Sequence, residues 1–137
     1  MVALGQENSN DSPFGPETDL CEVINMADST SSCNNLPAYP LSLRISTGQV
    51  VNSLPIIAGG HKTSAASNVY KFDKQSNSWL SMGNMATARN QHSSTVLNDA
   101  LWLIGGMDSS WPCLKSTELV YPNGTFTCGS GLSSLSA

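Results

Sequence analysis

Apolar residues in this chain come in short runs broken by Gly, Asn, Ser and Pro, and no segment of useful length carries the apolar stripe of a helix. Two runs stand out: Leu54-Pro55-Ile56-Ile57-Ala58 and Ala100-Leu101-Trp102-Leu103-Ile104, each closed by a glycine pair, Gly59-Gly60 and Gly105-Gly106. Around them the β-branched and aromatic residues predict strands at Ile45–Val51, Leu54–Ala58, Ser67–Asp73 and Ser78–Met82, and again at Gln91–Leu97, Ala100–Ile104, Thr117–Tyr121 and Thr125–Cys128. Turn chemistry separates these segments at Val51-Asn52-Ser53, Gln75-Ser76-Asn77, Asn98-Asp99 and Pro122-Asn123-Gly124, where Asn123-Gly124 reads as a two-residue hairpin turn. The strands alternate only weakly, as expected of a sheet covered on both faces.

The pattern repeats. The glycine pairs are 46 residues apart, and Arg44 and Arg89 are 45 apart. Asn68–Asp73 recurs at a shift of about 49 as Thr117–Tyr121, with a fainter earlier copy at Cys21-Glu22-Val23-Ile24-Asn25. A four-stranded sheet with two apolar faces cannot bury both alone, whereas copies stacked on one another can. Radial stacking around an axis gives a propeller, which leaves only short edges. Glycine suits the exit of the second strand, because it permits close backbone approach and positive φ there.

These landmarks resemble the kelch repeat, in which a glycine pair is followed by an aromatic strand, a Trp and an Arg-bearing link. The middle copy matches through Gly59, Gly60, Tyr70, Phe72-Asp73, Trp79, Met82, Met85 and Arg89. The next matches through Gly105, Gly106, Glu118 and Tyr121, then departs: Pro122 replaces the usual Asp, and Phe126 or Cys128 stands where Trp is expected. In the first copy Val2-Ala3-Leu4-Gly5-Gln6 keeps one glycine, Glu22–Asn25 is the third strand and Cys33 takes the Trp position. The resemblance implies an all-β fold, a partial β-propeller of four-stranded antiparallel kelch blades. Residues 1–37 form an incomplete blade, 38–83 and 84–132 two blades, and 133–137 a tail. A six-bladed ring at this repeat length needs roughly 280 residues, so two and a half to three blades cannot close one. Exposed blade flanks predict a marginal, self-associating polypeptide when the chain is alone.

Composition narrows the function classes. Only 12% of residues are charged, against about 25% in an ordinary soluble domain, while 22 Ser, 12 Asn and 11 Gly favour turns over helices. Net charge is −4, and the 6 Lys and Arg do not cluster, which argues against a nucleic-acid partner. No apolar run approaches the roughly 20 residues of a membrane-spanning helix, and Met1–Gly5 is too short and uncharged for a signal peptide. Neither HxxxH, HExxH nor CxxC occurs, and His61 and His92 are the sole histidines, so no metal and no other cofactor is expected. His92-Ser93-Ser94 does not make a catalytic pair, since neighbours on a strand point apart.

The resemblance implies a protein-binding scaffold rather than an enzyme, and kelch proteins commonly serve as ubiquitin-ligase substrate adaptors or actin-associated scaffolds. The alternative is a piece of a galactose-oxidase-like propeller enzyme. In a four-stranded meander the loops His61–Ala66, Met107–Ser116, Pro40–Ser46 and Asn84–Gln91 share one end, where variable loops carry recognition. Arg44, His61, Lys62, Arg89, Asn90, Asp108, Trp111 and Lys115 are therefore the candidate contacts to a protein partner, the arginines for carboxylates and Trp111 as an exposed aromatic anchor. Trp79, Tyr70, Phe72, Trp102 and Tyr121 read as packing between blades. Cys21, Cys33, Cys113 and Cys128 could pair within a blade or stay reduced; four cysteines allow three connectivities. The sequons at Asn10 and Asn123 matter only for a secreted chain.

Overall fold

In the computed structural model, residues 2–4, 21–23 and 34–129 are described, and they form three antiparallel sheets in chain order. The first has three strands, β1 (Val2–Leu4), β2 (Cys21–Val23) and β3 (Asn34–Leu36). The second is a four-stranded meander of β4 (Thr47–Val51), β5 (Leu54–Ala58), β6 (Asn68–Asp73) and β7 (Ser78–Asn84). The third repeats it with β8 (Ser93–Leu97), β9 (Ala100–Ile104), β10 (Thr117–Val120) and β11 (Phe126–Cys128). Gly5, Ile24, Asn25, Cys33, the Asn10 sequon and the tail beyond Gly129 lie outside the described residues.

Local chemistry explains the hairpins. Asn52 and Ser53 (φ 49° and 67°) join β4 to β5, and Asn98 and Asp99 (φ 51° and 57°) join β8 to β9. Two successive positive φ angles define the tight turn whose twist matches the flanking strands. The Asp73 carboxylate organises the β6–β7 turn by accepting from the Ser76 hydroxyl and from the Ser76 and Gln75 amides, and the Ser76 bonds hold it below its ordinary pKa. The β10–β11 connection differs from the expected two-residue turn. Gly124 N donates to Tyr121 O at 2.9 Å, Gly124 alone takes positive φ (87°), and Thr125 N donates to Asn123 Oδ1. Pro122 fixes a φ suited to the second residue of an ordinary turn, so the loop is one residue longer and closes on Gly124.

Both faces of the second sheet are buried, by alternate residues of the same strands. Val51, Ile56, Ala58, Val69 and Met85 pack against Leu101, Leu103 and Val120 of the third sheet. On the other side Ile57, Phe72 and Trp79 meet Tyr39 and Leu43 of the preceding link. Tyr39 sits edge-on to Tyr70 and Trp79, each at 5.2 Å between ring centres, and Trp79 Nε1 donates to Pro37 O at 3.0 Å. Strand β4 lies beside both β1 and β8, so the inner strands converge while the outer ones fan apart. Blade register also settles the Trp position of the third sheet. Phe72 pairs with Trp79 and Val120 with Phe126, so Phe126 replaces the Trp and Glu118 stands where Tyr70 does, at a shift of 48 rather than 49.

The glycine exits are crowded. A Cβ on Gly59 (φ 60°) would lie 2.5 Å from Arg89 O and 2.8 Å from His92 Cε1, whereas one on Gly105 (φ 64°) would meet only Leu114 O at 3.4 Å. Both positions share the cost of positive φ, but only Gly59 adds a clash with fixed backbone. Gly59→Ala should therefore lose about 2 kcal/mol and Gly105→Ala about 1 kcal/mol in urea unfolding. Equal losses would refute the crowding argument.

Candidate functional site

The four loops at one end of the sheets are stitched together by backbone. Arg44 and His61 exchange two backbone bonds (3.0 and 2.8 Å), as do Asn90 and Met107 (3.0 and 2.9 Å). Gly60 N reaches Arg89 O at 2.9 Å, and Ala65 N donates to the Ser109 hydroxyl at 3.1 Å. This ladder pairs Arg44 with Asn90, not with Arg89, as equivalent positions of successive links, and Ile45 with Gln91. The backbone agrees: Ile45 and Gln91 take φ of 56° and 51°. Residue Leu43 is then the counterpart of Arg89.

That one-residue offset gives the two arginines different surroundings, since Arg89 takes the site of Leu43 and Arg44 that of Asn90. Arg89 points inward and is fully buried, along with Asn90. Its guanidinium donates to Gly105 O (2.9 Å), Ser116 O (3.2 Å), the Ser116 hydroxyl (3.2 Å) and Glu118 Oε1 (2.6 Å). Glu118 in turn accepts from Ala86 N and Thr87 N at 2.7 and 3.0 Å. The pair thus clamps the link to the third sheet. Arg89 and Asn90, expected as partner contacts, are corrected to structural residues: their side chains are sealed from solvent. At the other junction Leu43 and Tyr70 hold the positions of Arg89 and Glu118, within an apolar cluster.

Arg44 points the other way. Its Nη2 donates to His61 Nδ1 at 3.3 Å, and the His61 ring lies 6.1 Å from that of Trp111. Together with Ile45 and Gln91 they line a pocket of about 80 Å³. Three of its five residues, Ile45, Gln91 and Trp111 (φ 71°), hold positive φ without being glycine, and for a β-branched residue such as Ile45 that is an outlier. Such strain gathers where the surroundings hold a functional geometry. Trp111 is 62% exposed and is placed by the turn that Asp108 organises, with Ser110 N on Asp108 Oδ1 (2.7 Å) and Trp111 N on Asp108 O (3.2 Å). Lys62 and Lys115 are exposed on the flanking loops. Sequence reading missed Ile45 and Gln91, although their separation of 46 residues is the glycine-pair spacing.

His92, set aside as a catalyst, is buried beside the Arg89 clamp and shares a 2.8 Å hydrogen bond between its Nε2 and the Thr47 hydroxyl. Burial, and then the Arg89 charge, push its pKa down from 6.5 to about 4. It stays neutral and ties β4 to the start of β8. Cys113 and Cys128 are exposed and unlinked, so the disulfide considered between them does not form here; Cys33 and the Cys21 side chain lie outside the described residues. Among the described residues no group of three or more His, Cys, Asp or Glu could hold a metal ion.

Sheets that converge along their inner strands, the second packed on the third through Ile56, Ala58 and Val69 against Leu101, Leu103 and Val120, are the arc of a β-propeller. A solved structure of YjhT superposes with a TM-score of 0.74 at 12% identity, over 82% of this chain and 44% of that one. Kelch-like protein 36 from Bos taurus is 29% identical over 123 residues, which is 88% of this chain and 19% of that protein. No family model matches the chain. The chain has the fold of an arc of a β-propeller, is similar in sequence to a kelch-like protein, and spans about a fifth of that curated relative.

Proposed function

We propose that the chain is a non-enzymatic protein-binding module whose loop end receives an acidic side chain flanked by an apolar one. The pocket of Arg44, Ile45, His61, Gln91 and Trp111 carries this reading. It combines a cation held open by a neighbouring ring with an exposed aromatic on a rigid scaffold. Arginine favours a carboxylate bidentately, and Trp and Arg are the residues that most often dominate an interface. Lys62 and Lys115 are exposed on the loops that carry His61 and Trp111, on a chain whose net charge is −4. Likeness to a kelch-like protein supports a scaffold role.

Selection of a random peptide display library on the purified chain tests this. Enriched peptides should carry Asp or Glu beside an apolar residue, and Arg44→Ala and Trp111→Ala should each weaken binding at least tenfold, about 1.4 kcal/mol. Both side chains project from the sheets, so the unfolding midpoint should hold. Peptides that bind both variants as well as the parent would overturn the assignment.

A further inference from the structure

We infer that Ile45 is a specificity-determining residue: it decides which apolar residue stands beside the acidic anchor, admitting a small aliphatic side chain and refusing an aromatic ring. This rests on the docking role proposed above for the same pocket. The fold asks for the backbone conformation at position 45 and not for the isoleucine. Ile45 and Gln91 hold φ of 56° and 51° at equivalent places in successive connectors, so a left-handed residue there is part of the repeat. The second connector fills the place with an unbranched amide. A β-branched residue is the costliest kind to hold in that conformation, and glycine or asparagine the cheapest. Core packing does not explain the choice, since Ile45 joins neither of the apolar clusters formed by the described residues and remains 38% exposed. Its side chain instead walls the pocket that holds Arg44, His61 and Trp111.

Size then selects the guest. The pocket of about 80 Å³ is little more than half of the roughly 150 Å³ cavity that takes up a benzene. Arg44, whose Nη2 is oriented by His61 Nδ1 at 3.3 Å, supplies the charged end. With a carboxylate on that guanidinium, the remaining space suits a short aliphatic group against Ile45 and not a ring. Glycine at position 45 would remove that wall and the backbone cost together.

A peptide display library with Glu fixed and its neighbours randomised tests the inference, selected in parallel on the parent, Ile45→Gly and Arg44→Ala. On the parent, Val, Ile and Leu should be enriched beside Glu over Phe, Tyr and Trp by about tenfold, the lower end of what a mismatch in an apolar pocket is worth. Ile45→Gly should erase or reverse that preference while still capturing peptides through Arg44, and its urea midpoint should not fall below the parent's. Ile45→Asn, which also tolerates positive φ, should lose the preference in the same way. Arg44→Ala should enrich nothing. If both position-45 variants keep the parent's aliphatic preference, if the parent takes aromatic and aliphatic neighbours alike, or if both variants are less stable than the parent, the inference falls while the docking role stands. A parent that enriches nothing, or enriches the same peptides as Arg44→Ala, would remove the docking role and the inference with it.

Discussion

Glu118→Ala is expected to lower unfolding stability by about 3–5 kcal/mol, a large share of the roughly 5–15 kcal/mol that a domain holds. The substitution leaves Arg89 charged, 0% exposed and without its carboxylate, and it strands the Ala86 and Thr87 amides that Glu118 serves. Arg89→Ala should cost a similar amount by leaving the Glu118 carboxylate buried without its cation. The chain itself supplies the control. Since Leu43 and Tyr70 fill these two positions at the preceding junction, the combined Arg89→Leu and Glu118→Tyr variant should lose less than either alanine variant. Buried ion pairs exchange with apolar residues of similar size at little cost, but half a pair does not. Urea unfolding of the three variants reads this directly, and a loss below about 1 kcal/mol for Glu118→Ala would show that the clamp is ornamental.

Acid should weaken the same junction by a different route. The folded pKa of His92, about 4, lies below its unfolded value near 6.5. Between those values the unfolded chain takes up a proton that the folded chain refuses. The stability contributed by neutral His92 is thus complete above about pH 6.5 and is lost as pH falls toward 4, to a total of about 3 kcal/mol. His92→Gln keeps a polar group near Thr47 and removes the titration, so its stability should be flat across that window. An NMR titration of the parent that places the His92 midpoint near 6.5 would contradict this.

Strand identity was readable because it depends on local chemistry. Leu54–Ala58 and Ala100–Ile104 are strands with the bounds their apolar runs imply. Expected strands beginning at Ile45 and Gln91 instead start at Thr47 and Ser93, because positive φ at Ile45 and Gln91 breaks the extended chain first. The candidate site was only partly readable. Gathering of the loops at one end follows from meander topology alone, and Arg44, His61 and Trp111 do come together there. The division of labour between the two arginines does not follow. Counting residues equates Arg44 with Arg89, whereas the backbone ladder equates Arg44 with Asn90, and that step of one gives the two arginines different neighbours. A glutamate inside an apolar strand was the available sign that one arginine would be claimed internally. The destination of that claim depended on loop length, since the longer loop after Gly106 moves the third-strand shift from 46 to 48.

The slipped arginine also bears on how such a protein can change. Shifting a basic residue by one place along the connector leaves blade packing alone, because the vacated socket accepts a leucine and a tyrosine. What moves is a tool from the inside of the wall to its outside. New specificity can then arise in the connector without the interior having to be rebuilt around it.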